Sequence, residues 1–340
     1  MILKMNLPGN EYDIVIERGA MKNADKYMNL ERKVLIVTDS GVPKEYSNAV
    51  TACCKHPIPV AVPAGEETKA WEFVSMLCKL MLDAGFTRSD CAVAVGGGVV
   101  GDLTGFAASI YMRGIDFYNI PTTVLSQVDS SIGGKVAIDF FGVKNIIGSF
   151  HQPKCVIVDP DTLKTLDKRQ ISNGLAEALK MSLTSDAELF KIFEEGRAED
   201  EIDTVIERSL KIKKYVVEQD EKETGLRKIL NFGHTLGHGI ESEEGLSGLY
   251  HGECVALGMI PMCSESVRPR LIGALEYLSL PTKLDFDLER ALDVASHDKK
   301  CSGGDISVVY VEEIGSCEIR KMPIDEWKNK IRNTMKGLMI

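Results

Sequence analysis

The sequence has no Cys-x-x-Cys pair, although nine cysteines are spread over its 340 residues. An odd, scattered set of thiols reads as reduced, which places the protein in a reducing compartment. It has no apolar run near the roughly 18 residues that a membrane helix needs. No long apolar core follows its first residues, Met1-Ile2-Leu3-Lys4-Met5-Asn6-Leu7-Pro8, so a secretory leader is not expected and a cytoplasmic location is. There is no excess of basic charge: the net charge is −10, which argues against a nucleic-acid footprint. That balance still allows a basic pocket for a small anionic substrate. Neither internal repeats nor low-complexity tracts interrupt the chain.

What is present is an ordinary globular composition, 44% hydrophobic and 26% charged, in a chain longer than one core usually serves. Two domains are therefore expected, 1–165 and 166–340. In the first, a strand pair around Tyr12–Ile16 precedes a short helix after Gly19. Buried strands are predicted at Lys33–Asp39, Ile58–Pro63, Cys91–Val95, Asp116–Pro121 and Cys155–Pro160, with a helix over Ala70–Ala84. Strands alternating with helices make this half an α/β domain with a mostly parallel, Rossmann-like sheet. Beyond about residue 165 helical patterns take over, at Asn173–Leu183, Ala187–Gly196, Glu201–Gln219, Ile229–Glu241 and Cys254–Val267. The second domain is therefore mostly α-helical. A hairpin near Ile306–Tyr310 and Cys317–Ile319, turning at Gly315, is the exception.

Two stretches could carry chemistry. Gly96-Gly97-Gly98-Val99-Val100-Gly101-Asp102 satisfies G-x-G-x-x-G between a strand and a helix predicted from Leu103 to Tyr111. There, backbone amides and a helix N-terminus can meet a pyrophosphate, so dinucleotide binding is favoured over a plain tight turn. Asp39, at the end of its strand, reads equally as a ribose acceptor or a helix cap. The second stretch is Asn231-Phe232-Gly233-His234-Thr235-Leu236-Gly237-His238, with His251-Gly252-Glu253 shortly after. His234 and His238 share a helix face, as a metal or proton-transfer pair would require; alone, such a pair is more often hydrogen-bonded core. Glu177 and Lys180 share a face of a helix capped by Asn173, where a solvated ion pair is the usual case. Glu177 with His234 and His251 would make a carboxylate and two imidazoles, the ligand set of many catalytic zinc sites. Spacing alone does not bring these three together. Lys213, Arg227, Asn231 and Lys299 in the second half, and Arg113, Lys135 and Lys144 in the first, could form a pocket for phosphate and carboxylate groups.

These motifs, together with Pro121-Thr122-Thr123, Gln127 through Lys135, Lys144-Asn145, Gly174-Leu175-Ala176-Glu177 and Gly225-Leu226-Arg227, resemble the 3-dehydroquinate synthase family over nearly the whole chain. The resemblance implies a cytoplasmic, homodimeric lyase of the shikimate pathway that uses NAD and Zn2+ or Co2+. Its substrate would be an anionic sugar phosphate, 3-deoxy-D-arabino-heptulosonate 7-phosphate, lying in a cleft between an NAD-binding α/β domain and a helical metal- and substrate-binding domain. Glu177, His234 and His251 fall where the family holds metal. Asp39, Glu66, Lys69, Gly97, Gly98, Val99, Asp102, Thr122, Thr123, Thr162, Thr165 and Asn173 fall where it contacts NAD, with Lys135 and Lys144 adjoining. Asp129, Lys135, Asn145, Lys180, Lys213, Arg227, Asn231, His238 and Lys299 fall where it holds substrate, and Arg113 would reach in from a partner subunit. Among these, His238 is the candidate proton shuttle and Glu223 a second, with Lys180, Asp129, Asn145 and Arg227 about the reacting centre. Val136, Asp139 and Gly41 depart from the family's common Thr, Asn and Asn. Alternatives are a related sugar-phosphate cyclase making an inosose or valiolone, a metal-dependent polyol dehydrogenase, and a fold-retaining protein without activity. Lys213, Arg227, His238 and Lys299 keep the dehydroquinate pattern, and no ligand or basic position is lost.

Overall fold

A computed structural model describes all residues apart from 243–247, 284–286, 297–300, 303 and 337–340. By its internal contacts the chain divides into two units, Met1–Asp167 and Lys168–Ile340. The first contains strands β1 (Ile2–Met5), β2 (Tyr12–Ile16), β3 (Lys33–Asp39), β4 (His56–Val62), β5 (Cys91–Gly96), β6 (Asp116–Pro121), β7 (Lys135–Phe140), β8 (Val143–Phe150) and β9 (Cys155–Val158). Its helices are α1 (Lys44–Ala52), α2 (Trp71–Asp83) and α3 (Gly98–Ile110).

Successive side chains of a strand face opposite ways, and here both faces are covered. Leu35, Val37, Ala92, Ala94 and Phe117 pack against Val74, Leu77, Leu103 and Phe106 of α2 and α3. Their neighbours Val34, Ile36, Val93, Val95 and Tyr118 pack against Val50 of α1 and Met21 of a 3-10 segment. Each buried Val, Leu, Ile, Phe or Met side chain among them contributes roughly 1.5–3 kcal/mol. This is why the strands read as unbroken apolar runs.

The sheet order is β1-β2-β9-β6-β5-β3-β4, parallel throughout except for the β1–β2 pair. From β3 the chain moves outward to β4, then returns to place β5 on the other side of β3. The carboxyl ends of β3 and β5 therefore flank a topological switch point, where open α/β sheets bind ligands. Two features differ from the sequence reading. Helix α3 begins at Gly98, not Leu103, so the glycines belong to its first turn. Residues 135–150 form an antiparallel hairpin, β7–β8, in which Phe141 and Gly142 at φ +47° and +78° make the two-residue turn.

The second unit holds α4 (Lys168–Ser185), α5 (Ala187–Glu194), α6 (Ile202–Gln219), α7 (His234–Glu241), α8 (His251–Met259), α9 (Arg268–Tyr277), α10 (Leu288–Ser296) and α11 (Ile324–Met335). Strands β10 (Cys301–Ser302), β11 (Asp305–Tyr310) and β12 (Glu318–Pro323) form a small antiparallel sheet that includes the expected hairpin, with Gly315 at φ +89°. Several predicted boundaries are corrected. Helix α4 starts at Lys168, so Asn173 lies inside it and does not cap it. The helix expected from Ile229 is a 3-10 turn over Leu226–Asn231, and α7 begins only after Gly233, whose left-handed φ of +77° breaks the run. The helix expected over Cys254–Val267 starts earlier, at His251, and ends at Met259. Helices α9, α10 and α11 were not foreseen. No helix among the described residues is long and apolar enough to cross a membrane.

Candidate active site

Glycine brings α7 and α8 together. A Cβ at Gly233 would lie 2.6 Å from Met259 Cγ and 2.7 Å from Val255 O, and one at Gly258 would collide with Gly233 O. With backbones this close, His234 at the start of α7 and His251 at the start of α8 face each other, ring centroids 5.2 Å apart. Helix α4 supplies Glu177 opposite both. The Nε2 atoms of His234 and His251 are each 3.6 Å from Glu177 Oε1, and the donor atoms of the three residues all lie within 4.8 Å of one another. On the far side of each ring, His234 Nδ1 is 3.1 Å from Phe232 O and His251 Nδ1 is 3.2 Å from Glu241 Oε2. Nδ1–H groups donated to these acceptors leave both Nε2 lone pairs for an ion. One carboxylate and two imidazoles fit a catalytic divalent site.

Two cations share the carboxylate in the metal-free protein. Lys180 Nζ is paired with Glu177 Oε2, and both side chains are only 1% exposed. Burial opposes charge on His251, but Glu177 and Glu241 together raise its pKa to about 10. A bound ion would have to displace that proton.

The residues of this unit expected to hold substrate are mostly buried among those described. Lys213 and Arg227 are buried cations, and Arg227 donates to Glu221 O at 2.6 Å. Asn231 Nδ2 donates to Glu223 Oε1 at 2.5 Å, and Glu223 is held in the left-handed region at φ +60°. Asp220 organises the loop carrying them, accepting from the backbone N–H groups of Thr224, Gly225 and Arg227. Its burial raises the carboxyl pKa, but these donors outweigh it and bring the value to about 2. The His238 ring centroid lies 5.4 Å from that of His234 and 6.1 Å from that of His251. Lys299 lies outside the described residues.

In the first unit, Gly97 caps α3 at the carboxyl end of β5. At the end of neighbouring β3, Asp39 Oδ1 accepts from Gly41 and Val42 N–H at 2.7 and 3.1 Å, so its carboxylate fixes the turn. A Cβ at Gly41 would sit 3.1 Å from that oxygen, which gives this departure a local reason. Buried Lys69 pairs with Asp102 at 3.0 Å and Glu66 at 3.4 Å, and donates to Asn145. Burial disfavours its charge, yet Asp102 and Glu66 keep its pKa raised. Asn145, at φ +53°, donates its N–H to Asp139 Oδ1 at 2.8 Å. Val136 is buried in the core with Phe117 and Leu103. Thr122 N–H donates to Gly96 O, and Thr123 Oγ1 is 2.7 Å from Ser126 Oγ. Thr162 Oγ1 accepts from Gln127, and Thr165 Oγ1 bonds the Tyr46 hydroxyl. Gly98 and Val99 open α3, and Asp129 lies on a π-helical turn, Ser126–Ser130. Lys135 and Lys144 are exposed on the hairpin, and Arg113 is exposed on a turn where Met112 and Arg113 both have positive φ.

Asn173 Oδ1 accepts Gly252 N–H at 2.6 Å, fastening α4 to the start of α8. Glu241, three residues after His238 on the same helix face, and the Arg169–Glu253 pair that also holds the α8 N-terminus carry no motif in the sequence that marks them.

Comparison with known proteins gives consistent matches. Models of the 3-dehydroquinate synthase N-terminal and C-terminal regions match residues 59–173 and 174–301. A 3-dehydroquinate synthase of Enterococcus faecalis is 41% identical, covering 96% of this chain and 97% of that one. Among solved structures, 2-epi-5-epi-valiolone synthase from Streptomyces hygroscopicus, with NAD+ and Zn2+ bound, is 27% identical with a TM-score of 0.87, covering 96% of each chain. A 2-deoxy-scyllo-inosose synthase complexed with carbaglucose-6-phosphate, NAD+ and Co2+ has a TM-score of 0.89 at 22% identity, covering 98% of this chain and 100% of that one; it shares the fold.

Proposed function

The chain belongs to the 3-dehydroquinate synthase family and is a carbon–oxygen lyase of that activity, and we propose that Glu177, His234 and His251 hold its metal while the switch point of the first unit holds NAD. It converts 3-deoxy-D-arabino-heptulosonate 7-phosphate to 3-dehydroquinate and phosphate, by transient oxidation, β-elimination, reduction and aldol closure. The observation that carries the metal assignment is the convergence of two Nε2 atoms on Glu177 Oε1, each at 3.6 Å.

The bound ion, Zn2+ or Co2+, supplies Lewis acidity, and NAD supplies a hydride acceptor restored in each turnover. Lys180, Lys213, Arg227, Asn231 and Lys299 of the helical unit bind and orient the phosphate, carboxylate and hydroxyl groups of the substrate. Glu223 holds Asn231 in its binding orientation. His238, within 5.4 Å of the His234 ring, carries a proton to or from the substrate at its imidazole. The α3 N-terminus would hold the pyrophosphate of NAD and Asp39 its ribose, with Lys69, paired with Asp102, bordering the site.

The working protein is a cytoplasmic homodimer. The exposed apolar side chains of Phe140, Phe141, Val143, Ile146 and Phe150 on the β7–β8 hairpin give a second copy a surface to cover. Arg113, exposed on a turn with positive φ at Met112 and Arg113, would serve the partner's site. Four thiols are inert, because burial pushes Cys54, Cys91, Cys155 and Cys263 up to about 12. The ligand set is tested with His251→Ala, which should lose both turnover and bound zinc; full zinc occupancy in that variant would remove His251 from the set.

A further inference from the structure

We propose that Glu241 is a positioning residue for the metal centre, orienting the His251 ring so that Nε2 faces Glu177. The inference rests on the assignment of Glu177, His234 and His251 as ligands. The two imidazoles are held differently. His234 Nδ1 meets a main-chain carbonyl, Phe232 O, two residues away. His251 Nδ1 meets a side-chain carboxylate, Glu241 Oε2, at 3.2 Å, from the last residue of α7. The backbone of His251 is fixed without Glu241. Asn173 accepts from Gly252 N–H, Glu253 accepts from Tyr250 N–H at 2.7 Å, and Arg169 grips Glu253 at 2.7 and 2.8 Å.

What those contacts leave open is rotation of the imidazole about its own side-chain bonds. A ring turned over would present carbon where Nε2 now faces Glu177. The bond to Glu241 selects one orientation and keeps the proton on Nδ1, and the carboxylate's charge makes Nε2 a stronger donor. With the Glu241 side chain only 15% exposed, water competes poorly for this bond. A competing arrangement exists, since His238, Glu241 and His251 also bring donor atoms within 4.8 Å of one another and could hold an ion of their own. The same Nδ1 cannot both donate to Glu241 and bind metal.

Zinc affinity of the full chain, measured by competition with a chromophoric chelator, separates these cases. Wild type should bind one zinc at this centre. Glu241→Ala should bind it about 10- to 100-fold more weakly, with little change in Tm, and need correspondingly more zinc for half-maximal turnover at unchanged substrate KM. Glu241→Gln, whose amide oxygen still accepts from Nδ1–H, should recover part of the loss and serves if the alanine variant folds poorly. Wild-type affinity in both Glu241 variants, with His251→Ala having lost zinc, would overturn the inference and leave the ligand set standing. Wild-type affinity in His251→Ala would overturn the ligand set and this inference with it. Two zinc ions per wild-type chain, one lost in Glu241→Ala, would make Glu241 a ligand and refute the positioning role.

Discussion

Replacing Lys180 with Met should destabilise the metal-free protein far more than the zinc-loaded one. Lys180 and Glu177 are each 1% exposed and are paired on adjacent turns of α4. Removing one partner of such a pair leaves a buried, uncompensated charge and costs about 3–5 kcal/mol. Here the lower end applies, because the His251 imidazolium still faces Glu177 Oε1 at 3.6 Å. Methionine fills most of the lysine's volume, so little of the loss comes from a cavity. A cost of about 3 kcal/mol should lower the Tm of the helical unit by roughly 6–12 °C. With zinc bound, the ion takes over compensation of the carboxylate, and the loss should fall to about half or less. The assay is thermal or urea unfolding of wild type and Lys180→Met, each with excess chelator and with saturating zinc. Equal losses in the two states would refute the view that Lys180 and the metal serve the same carboxylate.

Gly258→Ala should cost about 1–3 kcal/mol despite the higher helix propensity of alanine, because its Cβ would collide with Gly233 O; the variant should also bind zinc more weakly, as measured by metal content after dialysis. Asp186 caps α5, accepting from Glu188 and Leu189 N–H and from Arg208, so Asp186→Ala should cost about 1–2 kcal/mol by urea midpoint at pH 7. Burial raises the Asp186 carboxyl pKa, but Arg208 and the capping amides hold it below its ordinary value. A depressed folded value means the contribution is full above the unfolded pKa of about 3.9 and fades as pH falls through the folded one. The gap between wild type and Asp186→Ala should therefore narrow below about pH 4, and a gap that widened there would contradict the assignment.

The parallel strands were legible because burial on both faces forces continuous β-branched and small apolar runs, as in Val34–Val37 and Cys91–Val95. The β7–β8 hairpin was not, since its exposed outer residues give no burial pattern to read. Glycines misled twice in opposite directions. At Gly98 and Gly101 they read as loop but lie in the first turn of α3, where a Cβ would come within 3.2 Å of Ser130 Oγ and Asn119 Nδ2. At Gly233 a helical spacing of Ile229, Leu230 and Phe232 hid a left-handed break. For the metal centre, the residue types and the pairing of His234 with a nearby imidazole were visible in the chain. The approach of Glu177 was not, because it depends on α4 being fastened to α8 through Asn173 and Gly252. The resemblance to a known family supplied what spacing could not.

The central claim is an enzyme that oxidises and reduces its substrate within one turnover while expelling phosphate. Its most direct test follows inorganic phosphate, 3-dehydroquinate and absorbance of NADH together, in one reaction of the protein with NAD, zinc and 3-deoxy-D-arabino-heptulosonate 7-phosphate. Phosphate and dehydroquinate should appear in equal amounts with no net NADH. Steady accumulation of NADH, or the absence of both products, would contradict it.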